Sequence, residues 1–433
     1  MKAGRNVIYY GWVVTAVCFL SVVLSTAARQ SLIIKFPLLL EEFGWNRTAL
    51  SVAASLSGFT ASFCALFIGI LSDRWDVKKI LIAGALLAVL GLLLCSTTQR
   101  LWQIYLFFGV VTSIGVASLG LLPNMIILSN WFVKRRGLAI GIVASGYGAG
   151  TLIFMPVLQA VINQHGWRFS FMFLAIVVFV LIPVILIFQK THPAQMGLCP
   201  ESDGSDNQAT DSSSETAGQS SSVETGETGA RYVLTRLAKS RRFWFAYVQL
   251  ILGPLSTMPI IAHQAALLAD KGFDRMTTAM VVGIYGLGTF LGMLLSGYLS
   301  DRLSREVSYT IGTALLILGC VILLQVKSGS SVLFPVIFGF SFGLGFGTRP
   351  SMDAATAADL FSGRHFGLIY GLLSTGLGIG QLFGPVLSGM IFDTTGSYTG
   401  AIIFCICSVS AATACIWLAA PRRGNEYELM MRR

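Results

Sequence analysis

The chain has 433 residues, 54% of them hydrophobic and only 12% charged, with a mean hydropathy of +0.73. Soluble domains carry about twice that share of charge, so the composition excludes a water-soluble enzyme and points to an integral membrane protein. The formal charge of +10 does not argue for nucleic acid, because the basic residues sit in short clusters between apolar runs, as topology signals do.

In chain order, Lys2 and Arg5 precede an apolar stretch that reaches Thr26-Ala27-Ala28, which has the outline of a cleaved leader. The stretch is longer than a leader's core and further spans follow it, so an uncleaved first span is expected. Runs of about 20 apolar residues predict spans near 10–34, 48–71, 80–98, 101–124, 138–161 and 169–189. A second set falls near 243–268, 276–299, 309–326, 332–356, 367–389 and 401–419. Between the sets, 201–230 is rich in Ser, Thr, Glu, Asp and Gly and too poor in apolar residues to offset its ordering entropy. It reads as a disordered cytoplasmic tether. The expected organisation is therefore an N-terminal bundle over 1–190, a linker over 191–242 and a C-terminal bundle over 243–433.

Of the 30 Lys and Arg, only Lys35, Arg47, Arg100, Arg168, Lys271, Arg275 and Lys327 fall in loops on the side opposite the termini. Arg29 and Arg349 lie within spans, and the rest share a side with both termini, which the positive-inside rule makes cytoplasmic. Seven of the eight cysteines, Cys18, Cys64, Cys95, Cys320, Cys405, Cys407 and Cys415, lie in apolar runs, and Cys199 is alone in a loop. No disulfide framework, metal spacing or cofactor motif is expected.

Two signatures occur twice in the same order. Gly69-Ile-Leu-Ser-Asp73-Arg74 returns as Gly297-Tyr-Leu-Ser-Asp301-Arg302, and Gly137-Leu-Ala-Ile-Gly141 as Gly367-Leu-Ile-Tyr-Gly371. The latter pair leads into Gly146, Gly148 and Gly150, and into Gly376, Gly378 and Gly380, with Pro156 and Pro385 beyond. A duplicated unit of membrane spans implies a transporter of two pseudo-symmetric halves. Gly69 and Gly297 should admit a close helix, while Asp73, Arg74, Asp301 and Arg302 should latch the halves on the cytoplasmic side. The glycine runs should serve packing and rocking together.

The Gly-x-Leu-Ser-Asp-Arg motif resembles the loop signature of the major facilitator superfamily. Tyr9-Tyr10-Gly11-Trp12, Phe36-Pro37, Gly44-Trp45, Trp131 through Gly137, Gly166-Trp167-Arg168 and Asp393 through Tyr398 resemble its bacterial monocarboxylate-transporter and oxalate/formate-antiporter branch. That resemblance implies an all-α polytopic fold of twelve transmembrane helices in two six-helix bundles, in a cell inner membrane. The branch usually carries an arginine in span eight, where Met293 stands, and oxalate/formate exchangers place a lysine near Leu373. Oxalate exchange is not expected here.

A charge inside a span costs about 2.5–3.5 kcal/mol on insertion scales, so Arg29, Arg349 and Asp353 are functional candidates. The resemblance implies a basic residue like Arg29 near the outer end of span one, with snorkelling to headgroups as the competing reading. Arg349 lies in a Gly-rich stretch before Pro350, and its repeat partner is Leu122, so packing did not require it. Asp353, at i+4 from Arg349, suits a structural ion pair or a proton carrier. His263 is the one histidine well inside a span, expected as a cavity group or proton carrier. Tyr370, Ser374 and Gln381 share a face of span eleven, and Asn124, Tyr147 and Tyr285 are further polar positions that could touch substrate. The expected function is secondary transport of a small organic anion, a monocarboxylate, coupled to protons or exchange. Transport of a larger amphipathic compound such as a drug or siderophore is the alternative, and a non-transporting receptor a more distant one.

Overall fold

The computed structural model describes residues 9–133, 135–198, 236–361 and 366–419. All of its regular structure is helical. Ten helices among the described residues are long and apolar enough to cross a membrane. One of them, Arg136–Phe188, is two spans joined at Gly166, whose φ of 82° and ψ of 169° break the helix. Leu333–Phe361 is 29 residues long and its composition is diluted by Arg349, Asp353 and glycines. Counted with both arms of the broken helix, it completes twelve spans.

In chain order these are α1 (Gly11–Phe43), α2 (Arg47–Arg74), α3 (Val77–Ser96), α4 (Leu101–Trp131), α5 (136–165) and α6 (167–188). The second set is α7 (Arg241–Asp270), α8 (Arg275–Arg302), α9 (Arg305–Gln325), α10 (Leu333–Phe361), α11 (Phe366–Thr395) and α12 (Thr399–Ala419). Capping residues set the starts. Asn46 accepts from the Ala49 amide, Asp76 from Lys78, Ser240 from Phe243 and Ser304 from Val307. Gly44, with φ of 64°, closes α1 in the left-handed conformation.

α1 runs nine residues beyond the expected end at 34, and this corrects one topology assignment. Lys35 is not in a loop: its side chain is fully buried, with Nζ 4.0 Å above the Phe171 ring and 3.4 Å from the Ser31 carbonyl. The Lys-Phe-Pro sequence looked like a span end, but Pro37 is carried inside the helix.

α4 is not a uniform helix. A π-helical stretch spans Tyr105–Thr112, and the chain breaks again at Gly120 with ψ of −168°. Thr112 and Ser113 hydroxyls donate to the carbonyls of Phe107 and Phe108, five residues back, at 2.8 Å each. Asn124 Nδ2 donates to the Leu119 and Gly120 carbonyls at 3.0 and 2.7 Å. Side chains thus replace the ladder bonds that the broken backbone lacks, as irregular helix in a membrane requires.

Within each half, α1 packs on α5, α3 on the α5–α6 pair, α7 on α11 and α12, and α10 on α8 and α9. Between the halves, α5 meets α8, α2 meets α11 and α1 meets α7. The glycine runs explain both sets. A Cβ at Gly146 would lie 3.1–3.2 Å from Val22 and the Phe19 carbonyl, and Gly150 faces the Val23 backbone, both on α1. Gly376 and Gly380 hold the same relation to Tyr247 and Ile251 on α7. The middle glycine turns outward: Gly148 presses on the backbone of Gly286 and Phe290, and Gly378 faces Ser62 and Phe59. The repeated spacing encodes two contacts inward and one across the seam.

Candidate functional site

Arg29 stands near the middle of α1 where both halves meet. Its Nη2 donates to Gln381 Oε1 on α11 at 2.7 Å, and Gln381 Nε2 donates to Ser62 Oγ on α2 at 3.3 Å. Gly58 makes this possible, because a Cβ there would lie 2.7 Å from Gln381 Oε1. Tyr147 and Tyr285 are close enough to interact electrostatically with the guanidinium. Among the described residues no carboxylate hydrogen-bonds or ion-pairs with it, so a half-buried cation faces the seam without a counter-ion.

Two cavities share Arg29 as a wall. One, about 60 Å³, extends away from the termini between Leu32, Ile33, Phe36, Phe108, Met258 and Ile261. The other, about 150 Å³, extends toward the terminal side past Ser25, Thr26, Ser62, Gly120 and Tyr147. The break in α4 at Gly120 therefore lies on a cavity wall.

Beyond the smaller cavity the halves are clasped. Arg47, at the start of α2, grips Asp270 at the end of α7 with two bonds of 2.7 and 2.8 Å and donates to Tyr398 Oη at 2.7 Å. Its guanidinium lies 3.7 Å over the Phe392 ring. Asp393 at the end of α11 accepts from the amides of Arg47 and Thr48 at 3.3 and 2.9 Å, and so caps α2 from the other half. Arg275 and Glu41 add a more exposed pair at 2.7 Å.

His263 belongs to this clasp. Nε2 lies 3.1 Å from the Pro385 carbonyl and 2.9 Å from Ser51 Oγ, and Nδ1 lies 2.9 Å from Tyr398 Oη. A carbonyl only accepts, so the proton is on Nε2, and Nδ1 accepts from the Tyr398 hydroxyl. The ring packs edge-on against Phe36, with centroids 5.0 Å apart, which stands between it and the smaller cavity.

Arg349 is elsewhere. It is buried among α7, α9 and α10, its guanidinium 4.6 Å over the Tyr309 ring and 3.3 Å from Thr313 Oγ1. Nε and Nη1 have no hydrogen-bond partner. The ion pair considered with Asp353 is not formed. Asp353 Oδ1 instead accepts from Gln249 Nε2 at 2.7 Å, and that amide also donates to Tyr309 Oη at 3.0 Å. Gly253 leaves the space that the guanidinium uses, since a Cβ there would lie 3.3 Å from Nη1. The structure thus does not bring Arg349 and Asp353 to the Arg29 cavities.

The remaining expected positions divide. Gln381 and Tyr147 line the Arg29 cavities, while Asn124 spends its amide on the α4 break. The Tyr285 hydroxyl is buried without a partner, its ring between Phe342 and Phe346. Ser374 bonds the Tyr370 carbonyl at 2.8 Å, and neither borders the two cavities. Of the expected latch, the side chains of Asp73, Gly297, Asp301 and Arg302 lie outside the described residues, and Arg74 is exposed. A Cβ at Gly69 would meet nothing within 4 Å, so the close helix approach expected there is not made in this conformation. Sequence reading missed the far-side clasp. The repeated turns Gly166-Trp167-Arg168 and Gly396-Ser-Tyr398 were its signal: Arg168 holds Glu42 at 2.7 Å within one half, as Tyr398 holds Arg47 across the seam.

Twelve spans in two bundles, with a half-buried cation in the seam and irregular helix on its cavity wall, define a membrane transporter. The family model of the Major Facilitator Superfamily matches residues 18–348 and again 243–429, and the chain belongs to that family. It is 27% identical over 420 residues to human monocarboxylate transporter 11, covering 91% of this chain and 79% of that one. Human monocarboxylate transporter 2 is 24% identical, with 94% and 84% covered. Among solved structures, a bacterial homologue of the human lysosomal transporter Spinster, in an inward-facing and unoccupied conformation, superposes with a TM-score of 0.66. At 15% identity over 99% of this chain and 98% of that one, it shares the fold.

Proposed function

We propose that the chain carries a small organic anion, a monocarboxylate, by alternating access, with Arg29 as the anion's partner. The observation that carries this reading is a seam-facing guanidinium with no acidic partner, held by a neutral amide that a carboxylate would displace. A carboxylate brings an opposite charge and two oxygens that match the guanidinium fork, which the neutral Gln381 amide lacks, so substrate would break the Arg29–Gln381 link between the halves on binding. The likeness to proteins named monocarboxylate transporters supports the same substrate class. The conformation reads as inward-facing, since the far side is clasped and Gly69, Gly137 and Gly141 on the terminal side have open space around them. The halves 1–190 and 243–433 would rock as bodies tethered by 191–242, with both termini cytoplasmic and the protein in a cell inner membrane.

Coupling is to protons or to exchange. Asp353 is the proposed proton carrier, as a carboxylate within a span that is held by the neutral Gln249 amide and not ion-paired with Arg349. A larger amphipathic substrate has no support in the two small cavities.

The test is thermal unfolding of purified protein in detergent with short monocarboxylates. Ligand at 100 times Kd should add about 2.7 kcal/mol in the wild type and nothing in Arg29→Gln. Arg349→Gln should keep this stabilisation and alter the pH dependence of uptake into vesicles. Undiminished stabilisation in Arg29→Gln overturns the reading.

A further inference from the structure

We propose that the smaller cavity selects a monocarboxylate with an unsubstituted hydrocarbon tail of about four carbons. This rests on the reading of Arg29 as the carboxylate partner. The polar wall of the cavity is confined to one end, where Arg29, Gln30, Ser57 and Gln381 stand. Ser57 Oγ is already engaged 2.6 Å from Ser113 Oγ, and because the Ser113 proton goes to the Phe108 carbonyl, the Ser57 hydroxyl is the donor. The rest of the wall is apolar, with Leu32, Ile33, Phe36, Phe108, Met258 and Ile261 as its large side chains.

The far end offers nothing polar to a ligand. Both His263 nitrogens are engaged by Tyr398, Ser51 and Pro385, and Phe36 stands in front of the ring. A hydroxyl or second carboxylate pushed into this space would lose water without gaining a partner. A hydrocarbon tail loses nothing there. The larger cavity on the other side of Arg29, past Ser25, Thr26, Ser62 and Tyr147, is the route by which the carboxylate arrives.

Volume sets the length. A water needs about 10–15 Å³ on this measure, so a cavity of about 60 Å³ holds about four waters, or a chain of about four carbons. Within that length each added methylene should tighten binding about fourfold, and beyond it the clasp and Phe36 block further insertion. Met258 and Phe108 then act as specificity-determining residues, because truncating either lengthens the space.

The experiment measures Kd of the purified full chain in detergent for straight-chain carboxylates from acetate to octanoate, with 4-hydroxybutanoate and succinate alongside. The expected result is a tightening of about fourfold per methylene up to a four-carbon tail, then a loss. 4-Hydroxybutanoate, whose hydroxyl would enter the apolar end, should bind about tenfold more weakly than butanoate. Met258→Ala should move the optimum to longer chains. Phe108→Ala is the second variant, should Met258→Ala not fold. Carboxylate binding that requires Arg29 but shows no length optimum, or that favours 4-hydroxybutanoate or succinate, overturns the tail selection alone. Binding of none of the series, or binding unchanged in Arg29→Gln, overturns the anion reading and the selection with it.

Discussion

Lys35 and Arg29 lie six residues apart on one helix, and both are cations without an acidic partner among the described residues. Their surroundings separate them. Arg29 borders two cavities and bonds a polar side chain of the other half. Lys35 borders neither, and its closest companions are a backbone carbonyl and the Phe171 ring inside one half. A cation–π contact returns about 2 kcal/mol when desolvated, less than the several kcal/mol that burying an ammonium costs. Lys35→Met is therefore expected to raise the thermal unfolding midpoint in detergent and to leave carboxylate binding unchanged. A lowered midpoint would show that the lysine has a stabilising partner in another state of the cycle.

At the scale of elements, helix ends carry much of the tertiary linkage. Asp76 caps α3 through the Lys78 amide and also accepts from the Thr191 hydroxyl at 2.6 Å, tying α3 to the segment after α6. Partial burial raises its pKa, but the bonds from Thr191 and the Lys78 amide outweigh this, and the carboxyl titrates below its ordinary value. A depressed carboxyl pKa contributes stability above the unfolded value of about 3.9 and loses it as pH falls through the folded value. Asp76→Asn should thus lower the unfolding midpoint at pH 7 and shrink the difference from wild type below about pH 4. An equal deficit at both pH values would remove the carboxylate's charge from the explanation. The cap on α2 has the opposite reach, because its Asp393 comes from the other half.

That trans cap belongs to the whole molecule. α2 and α11 are closest at their far ends, where a Cβ on Gly389 would lie 2.8 Å from Thr48 Cα. At Gly378, nearer the terminal side, the same pair is in ordinary contact at 3.6–3.7 Å. The described hydrogen bonds between the halves lie at Arg29 or beyond it toward the clasp. The alternating access proposed above would require this clasp to open, so Asp393→Ala is expected to favour the far-side-open state. A cysteine placed at Ser57 should then react several-fold faster with an impermeant thiol reagent added from the far side. An unchanged rate would show that Arg47, Asp270 and Tyr398 hold the closure without the cap.

Duplication, twelve spans and family were legible in the chain itself, because apolar length and glycine spacing are properties of consecutive residues. Gly146-x-Gly148-x-Gly150 and its copy carry their packing directions in their spacing, as two contacts inward and one across the seam. Arg29 was legible as a charge within a span for the same reason. What only the tertiary structure decided is which charges share a space. Arg349 and Arg29 look equivalent along the chain, yet one is enclosed by Tyr309 and Thr313 inside a bundle while the other meets Gln381 at the seam. Lys35 read as a loop residue because a span's end is fixed by the neighbours that cover it, and Phe171 lies on a different helix. The clasp likewise joins residues from α2, α7, α11 and α12, brought together by packing rather than by any local pattern.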